Sequence, residues 1–397
     1  MDPVRNPYAP GAGQRPPELA GRDREVTQFG VVLERVAARR PERSMVLSGL
    51  RGVGKTVLLN ALRSYALTRA WGTGKVEARP ENSIRLPLAQ AVYAGIREIA
   101  PRHRDEERVD QLLGVLKAFA LQTPADKRKQ VRWKPPYEVA AVRGRADSGD
   151  LEMDLTELFG DAAELAGDLG VGIAVFIDEM QDIPPEELTA LCGACHEISQ
   201  LGAPLIVVGA GLPHLPTALA ASKSYAERLF RYVSVDRLER ADADRALRVP
   251  AESEQVGFDA AALDQLHELT DGYPYFVQAF GKATWDVAPA SPISVDDVKV
   301  AAPDAEAELA VGFFGARYER ATPAEREYMR GMAELGADRG DAGVPTSEVA
   351  KLLKRRPQSL SPARDGLIKK GLVYAAERGT VAFTVPHFGK FLRSQRT

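Results

Sequence analysis

The chain has 397 residues, of which 45% are hydrophobic and 27% are charged, and its net charge is −3. This is the composition of an ordinary globular protein with room for two or three domains and a substantial core. No apolar run is long enough to span a bilayer, and no apolar segment opens the sequence, so we expect a cytoplasmic protein without a membrane partner.

Charge is distributed unevenly along the chain. Residues 345–397 contain eleven basic and three acidic side chains, so this end segment carries +8 and the rest of the chain −11. Such an asymmetry indicates a polyanion as the partner of the C-terminal part.

The first predicted elements frame a glycine-rich loop. Residues 1–20 are rich in proline and glycine and predict an extended arm. The apolar residues 45–47 predict a buried strand, and residues 57–63 are compatible with a helix. Between these two elements lies Gly49-Leu50-Arg51-Gly52-Val53-Gly54-Lys55-Thr56, which has the spacing of a phosphate-binding loop.

The chemistry of this loop follows from its residue types. Glycines let the backbone curl so that its N–H groups point at phosphate oxygens, and the dipole of the following helix favours the anion. Lys55 would reach the β- and γ-phosphates, and the Thr56 hydroxyl would hold Mg²⁺. The predicted nucleotide-binding residues of the loop are Gly49, Gly52, Val53, Gly54, Lys55, Thr56 and Val57.

Further strands are predicted by apolar runs at residues 173–177, 205–208 and 232–235, with a weaker candidate at Ile84-Arg85-Leu86. Continuous apolar strands that alternate with helical patterns predict a parallel sheet covered by helices on both faces. Residues 101–150 look like an insertion with one amphipathic helix near 109–121. Its basic run at 127–134 includes Trp133 and would suit nucleic acid, although a solvated loop is the simpler interpretation.

An acidic pair ends the strand at 173–177. Asp178 would hold Mg²⁺, mostly through water, opposite Thr56, and Glu179 would act as general base on the attacking water. A carboxylate beside the metal ligand favours hydrolysis over phosphoryl transfer to a small molecule. The predicted cofactor is therefore Mg²⁺ with ATP.

The two cysteines, Cys192 and Cys195, precede His196 in a pattern that matches haem attachment. They fall in a predicted helix over residues 186–200 between two strands, and two thiols are too few ligands for zinc. We therefore expect neither haem nor zinc, and interpret both cysteines as small apolar side chains on one helix face.

The second half of the sequence predicts two smaller domains. Helices at residues 242–249, 259–269 and 275–287 form a helical lid. Helices at 324–335, 346–353 and 359–370, followed by a hairpin from 372–374 and 381–385, have the plan of a winged helix. The predicted division is an arm (1–20), an α/β P-loop NTPase core (21–238), a lid (239–310) and a winged helix (311–397).

These motifs together resemble the AAA+/STAND-type P-loop ATPases, most closely the origin-recognition-like members with a C-terminal winged helix. The segment Gly21-Arg22-Asp23-Arg24-Glu25 matches the short box that contacts adenine in that family, which implies a role for Arg22. Gly272-Tyr273-Pro274 matches the motif of the STAND-type lid, whose proline, here Pro274, packs near the nucleotide.

The sequence departs from the family at two positions. Gly209-Ala210-Gly211 stands where AAA+ proteins place a polar sensor residue, unless His214 or a backbone group substitutes for it. Tyr275 stands at the lid position of a sensor arginine. Both departures fit a slow nucleotide switch better than a fast motor.

The resemblance also implies an arginine finger supplied by a neighbouring subunit of a homo-oligomer. By position we select Arg228, with Arg231 as the second choice, against the alternative of a surface arginine paired to an acid.

In the end domain, the third helix opens with basic and polar residues, the arrangement with which helix-turn-helix proteins contact DNA. Gln358 and Ser359 could read bases, and cations would hold phosphates. The predicted DNA-binding residues are Arg355, Arg356, Gln358, Ser359, Arg364 and Lys370. The first hypothesis is thus an ATPase that acts with double-stranded DNA. The second is a STAND-type signalling or defence switch whose winged helix docks a protein.

Overall fold

A computed structural model describes residues 1–11, 13–80, 82–122, 139–337, 343–376 and 379–395. The chain forms two compact units. The sheet unit comprises residues 22–48 and 55–234, and the helical unit comprises residues 1–21, 49–54 and 235–397. Among the described residues, no helix combines the length and the apolar character needed to cross a membrane.

The sheet unit is built on five parallel strands: β1 (Ser44–Ser48), β2 (Gly72–Glu77), β3 (Ile173–Asp178), β4 (Leu205–Gly211) and β5 (Phe230–Ser234). Their order is β2-β3-β4-β1-β5. β3 and β4 are buried along their whole length, which explains their continuous apolar sequences, because both faces of the sheet are covered. The predicted parallel α/β core is confirmed.

Eight helices belong to the described part of this unit. They are α1 (Asp23–Ala37), α2 (Lys55–Thr68), α3 (Arg85–Ile99), α4 (Glu106–Leu121), α5 (Leu151–Gly167), α6 (Pro185–Gln200), α7 (Leu215–Ser222) and α8 (Ala226–Leu229). The predicted helix at 109–121 is the main part of α4. The predicted basic run at 127–134 lies outside the described residues.

The weaker candidate strand at residues 84–86 is wrong. Ile84 caps α3, which begins at Arg85, and the edge strand of the sheet is β2 instead. Gly72 and Gly74 of β2 lie against the backbone of α3, where a side chain at Gly74 would overlap the carbonyl of Ala91. Close backbone approach selects glycines in this strand rather than the apolar side chains that mark a buried strand in sequence.

A buried ion pair connects α3 to α5. The Arg85 guanidinium donates to Asp154 Oδ2 at 2.9 Å, and the side chain of Asp154 is fully buried. Ser148 donates to the other carboxylate oxygen through its N–H and its hydroxyl, at 2.8 and 2.6 Å. Burial opposes ionisation of Asp154, but the hydrogen bonds from Ser148 and Arg85 outweigh it and lower the pKa of Asp154 below its ordinary value.

The helical unit contains a helical layer made of α9 (Arg240–Ser253), α10 (Ala260–Thr270), α11 (Pro274–Val287), α12 (Val295–Glu308), a π-helical turn (Leu309–Gly315) and α13 (Ala316–Glu319). The N-terminal segment packs on this layer. Tyr8 is 4% exposed and its hydroxyl donates to Leu247 O at 2.6 Å, while Trp285 Nε1 donates to Asp2 O at 3.0 Å.

The last part of the helical unit combines short helices with a small antiparallel sheet. Its elements are α14 (Pro323–Leu335), β6 (Val344–Pro345), α15 (Thr346–Leu352), α16 (Pro357–Lys369), β7 (Val373–Ala375), β8 (Thr380–Phe383) and α17 (Phe388–Ser394). The strand order is β6-β8-β7. A capping box starts α14, where the Thr322 side chain accepts from the N–H of Glu325, whose carboxylate accepts from the N–H of Thr322.

Candidate nucleotide-binding site

The loop itself, Gly49–Gly54, belongs to the helical unit. Gly52 has φ +87° and Gly54 has φ +91°, in the left-handed region that favours glycine. A side chain at Gly49 would overlap the carbonyl oxygen of Val235. Val53 between them is 1% exposed. These residues give the loop the curled backbone that a cradle of N–H groups requires.

Within the helical unit, the loop lies beside the lid motif. Tyr273 is 3% exposed, and a side chain on Gly52 would come within 2.9 Å of its ring. The ring of Tyr273 in turn packs on Phe276, with centroids 4.8 Å apart. Pro274 directly follows Tyr273 as the first residue of α11. The Gly272-Tyr273-Pro274 motif is therefore next to the loop, as a role for Pro274 near the nucleotide requires.

Arg51, at a variable position of the motif, attaches the loop to the C-terminal part of the same unit. Its N–H donates to Thr384 O at 3.0 Å, and its Nε donates to Gly371 O at 3.2 Å. The buried hydroxyl of Thr384 donates to the same Gly371 carbonyl at 2.7 Å. Sequence reasoning missed these residues, because no motif requires an arginine at this position of the loop.

A second arginine lies near Arg51. Burial lowers the pKa of Arg317, and the positive charge of Arg51 lowers it further. Arg317 donates to the carbonyl of Phe313, and its guanidinium lies 4.1 Å from the centroid of the Phe313 ring. The loop therefore contributes one of two neighbouring cations to the helical unit.

In the sheet unit, α2 begins at Lys55, so Lys55, Thr56 and Val57 occupy its first turn, where N–H groups lack partners within the helix. Lys55 is 8% exposed. Asp178 ends β3 and is 6% exposed. Because β3, β4 and β1 are parallel neighbours, the residues that follow β1 and β3 leave the sheet at the same edge.

Lys75 of β2 connects α2 to Asp178. Its Nζ lies 3.6 Å from Asp178 Oδ2 and donates to Asn60 Oδ1 at 2.8 Å. Asn60 is one helical turn after Thr56, so both side chains lie on the same face of α2. This bridge brings the face of α2 that carries Thr56 toward the carboxylate at the end of β3. Lys75 too was missed from sequence, because the strand that carries it was not recognised.

The donors fit the predicted Mg²⁺. A hydroxyl and a carboxylate are hard oxygen ligands, and Mg²⁺ in phosphoryl-transfer sites keeps several waters and takes its other ligands from the substrate phosphates. Among the described residues, no group of three or more His, Cys, Asp or Glu could hold a metal ion alone. Thr56 and Asp178 would therefore hold Mg²⁺ only together with the nucleotide.

Glu179 follows β3 with φ +50° and ψ +42°, a left-handed conformation that costs a non-glycine residue about 1–2 kcal/mol. Gln181 Nε2 donates to its carboxylate, Oε2, at 2.6 Å. The oxygen of the same amide, Gln181 Oε1, accepts from Leu212 N at 3.0 Å. Strain of this kind concentrates at functional sites.

Three predicted arginines lie elsewhere in the sheet unit. Arg22 precedes the first residue of α1, and Arg228 is exposed on the short helix α8. Arg231 donates to Gln28 Oε1 at 2.5 Å, so its guanidinium already has a partner in the chain. The exposure of Arg228 suits a side chain that acts on a neighbouring molecule, and its role stays a prediction.

The predicted DNA-binding residues lie exposed at the start of α16, but several of the cations have acidic partners. Arg355 pairs with Glu327 at 3.1 Å, and Arg364 with Asp365 at 2.9 Å. Lys370 pairs with Glu325 at 2.5 Å. Burial would raise the pKa of Glu325, but the hydrogen bonds from Lys370 and Thr322 outweigh it and lower this pKa. Lys370 thus supports the start of α14.

Both cysteines lie on α6 and are free and buried. Burial raises the pKa of Cys192 to about 12, so its thiol is protonated at neutral pH. Burial also raises the pKa of Cys195. Their packing agrees with the interpretation as small core side chains.

Comparison with known proteins agrees with the geometry of the core. Residues 18–208 match the family described as AAA ATPase domain. Residues 311–392 match a family described as Domain of unknown function (DUF8462). Curated proteins gave no match. The first segment is therefore an AAA-type P-loop ATPase domain.

Among solved structures, the Walker-type ATPase PABY2304 of Pyrococcus abyssi is 17% identical, with a TM-score of 0.60 over 96% of this chain and 97% of that one. This likeness extends the shared fold over nearly the whole chain. The RuvB Holliday junction branch migration motor of Thermotoga maritima is 16% identical, covers 97% of this chain and 100% of that one, and has a TM-score of 0.45. Aeropyrum pernix ORC1, solved in complex with DNA, is 14% identical, covers 96% and 94%, and has a TM-score of 0.44.

Proposed function

We propose that the protein is a Mg²⁺-dependent ATPase in which ATP binding and hydrolysis change the conformation of the lid and the C-terminal part, and that the C-terminal part acts on double-stranded DNA. The observation that carries the proposal is the loop sequence, with Gly52 and Gly54 in left-handed conformations, combined with an Asp178-Glu179 pair at the end of β3. The match of residues 18–208 to AAA ATPase domains supports the same chemistry.

The proposed reaction is ATP + H₂O → ADP + phosphate. The loop N–H groups and Lys55 bind the β- and γ-phosphates and neutralise charge on the transferring group. Thr56 and Asp178 hold Mg²⁺, which supplies further charge neutralisation between the β- and γ-phosphates when it is bound. Glu179 orients the attacking water and accepts its proton as the oxygen bonds to the γ-phosphorus and the bond to ADP breaks.

The coupling to the C-terminal part is supported by Arg51. The loop that would bind phosphate is bonded through Arg51 to the carbonyls of Gly371 and Thr384, which flank the β7–β8 hairpin. A change in loop conformation on nucleotide binding would strain or release these bonds. We propose that this is the route by which nucleotide state reaches the C-terminal part.

DNA association is the less strongly supported half of the proposal. The net charge of +8 over residues 345–397 and the exposed first turn of α16 support it. The pairing of Arg355, Arg364 and Lys370 with acidic side chains favours the alternative, a STAND-type switch whose C-terminal part docks a protein partner.

Calorimetry with ATP and Mg²⁺, together with phosphate release, tests the nucleotide chemistry. Lys55→Ala should abolish ATP binding, because the loop loses its only side-chain cation that follows the last glycine of the motif. Glu179→Gln should bind ATP like the parent and hydrolyse it at least about a hundredfold more slowly. Absence of binding heat in the parent, or parent-like hydrolysis by Glu179→Gln, refutes the proposed chemistry.

Duplex binding measured over a range of salt concentrations separates the two partners. If phosphate contacts hold DNA, affinity falls steeply with salt, and replacing Arg355 and Arg356 together with alanine flattens the slope by up to about two ionic contacts. A protein without salt-dependent DNA binding would favour the docking alternative. Replacement of the exposed Lys299 and Arg248, which lie on the lid helices, is the matched control.

A further inference from the structure

We propose that Gln181 is the positioning residue that holds Glu179 for water activation and replaces the polar sensor side chain that β4 lacks. The inference rests on the proposed ATPase function and deepens it. It comes from a chain of two hydrogen bonds in the sheet unit, from Glu179 Oε2 to Gln181 Nε2 at 2.6 Å and from Gln181 Oε1 to Leu212 N at 3.0 Å.

The chemistry of the two partners fixes the orientation of the amide. A backbone N–H can only donate, so the Leu212 N–H must face the Gln181 oxygen. An ionised carboxylate can only accept, so the amide nitrogen must face Glu179. A primary amide has both groups on one rigid plane, whereas a carboxylate in its place would repel Glu179. The bridge thus accounts for the residue type at position 181.

The local backbone is arranged around this bridge. The left-handed conformation of Glu179 leads into a 3₁₀ turn, Met180–Asp182, which carries Gln181 back toward the end of β4. That end is free of side chains: a side chain on Gly211 would come 2.6 Å from Gln181 Oε1, and one on Gly209 would overlap the sulfur of Met180. The small residues that replace the expected sensor therefore make the space that Met180 and Gln181 occupy.

The bridge gives Gln181 a role that a sensor side chain on β4 would otherwise fill. It ties the carboxylate of Glu179 to the backbone at the end of the neighbouring central strand, so the two strand ends move together. Its hydrogen bond also restricts the rotamers of Glu179, which otherwise can turn away from the water. Gln181 acts on the reaction through Glu179 and needs no contact with the nucleotide.

Two variants of the full-length protein test this role. Gln181→Met keeps the length of the side chain and removes both hydrogen bonds. Gln181→Glu keeps an acceptor for Leu212 and repels Glu179. We expect both variants to lower kcat about 10- to 100-fold, while the dissociation constant of a fluorescent ATP analogue stays within about twofold of the parent value. Gln200→Met, at the exposed end of α6, is the matched control and should keep the parental kcat.

A second readout requires no turnover. Gln181→Met should speed amide hydrogen exchange at Leu212 in the nucleotide-free protein, and Gln181→Glu should leave it near the parent rate. Parental kcat in Gln181→Met, a rise of the dissociation constant as large as the fall in kcat, or unchanged exchange at Leu212 overturns the positioning role. A parent protein that does not hydrolyse ATP overturns the proposed function as well, and Leu212 exchange then still reports whether the bridge exists.

Discussion

Replacing Arg51 with alanine should loosen the attachment between the phosphate-binding loop and the C-terminal part of the helical unit. The change removes the guanidinium that donates to Gly371 O and leaves the backbone N–H of residue 51, which donates to Thr384 O. It keeps every glycine and Lys55 of the motif, so the cradle for phosphate is retained. The perturbation therefore isolates the side-chain half of the attachment.

The expected magnitude is the balance of two effects. A hydrogen bond with a charged donor contributes about 1.5–3 kcal/mol, and the length of 3.2 Å between Arg51 Nε and Gly371 O, with Arg51 partly exposed, places this one at the weak end. Removal of Arg51 also relieves its repulsion of Arg317, by at most about 1 kcal/mol in a hydrated setting. The net loss is about 1 kcal/mol, which shifts the opening equilibrium about fivefold.

Hydrogen exchange in the nucleotide-free protein measures this opening directly. The amides of residue 51 and Thr384 should exchange about fivefold faster in Arg51→Ala than in the parent, because both are sheltered by the attachment. Arg43→Ala removes another exposed arginine and should leave both rates unchanged. Equal exchange in Arg51→Ala and the parent would show that the guanidinium does not hold the loop, and the proposed coupling route would fail with it.

Three further outcomes follow from ion pairs in the sheet unit. Asp154→Ala leaves the buried Arg85 unpaired and should lower the free energy of unfolding by about 3–5 kcal/mol in urea titrations, whereas alanine at the exposed Asp296 should change it by less than about 1 kcal/mol. Although burial opposes it, hydrogen bonding holds the folded-state pKa of Asp154 below its ordinary value of about 3.9; its stabilisation is therefore complete above that pH and is lost as the pH falls through the folded-state pKa, a loss that acid titration should detect in the parent and not in Asp154→Ala. Lys75→Met removes the cation 3.6 Å from Asp178, so Mg²⁺ with ATP should raise the melting temperature more in this variant than in the parent, and an equal rise would contradict a shared role for the two cations at that carboxylate.

The parts of the site that the sequence revealed are those whose chemistry is local. Phosphate binding requires glycines, lysine and threonine at fixed spacing within one turn, and an acidic pair is visible wherever a buried apolar strand such as β3 ends. These constraints act over a few residues, so the loop and Asp178-Glu179 could be found without a structure. The strands β1, β3 and β4 could be found for a similar reason, because burial on both faces forces continuous apolar runs.

The parts that sequence reasoning missed depend on contacts between distant segments. Arg51 and Gly371 are separated by 320 positions, and nothing near either residue indicates the other. β2 escaped recognition because its glycines are selected by the backbone of α3, which no strand pattern records. Lys75 was missed as a consequence, since a side chain cannot be placed beside Asp178 until its strand is known.

The glycines at the end of β4 show how a departure from a family pattern can mislead when it is interpreted alone. From sequence, the absence of a polar side chain at residues 209–211 suggested a lost sensor and slow turnover. In the structure, the same absence makes room for Gln181, whose amide reaches both Glu179 and the backbone of Leu212. The loss on one strand and the glutamine after the neighbouring strand are therefore one arrangement. Slow turnover no longer follows from the missing side chain, and it has to be argued from Tyr275 of the lid or from measured rates.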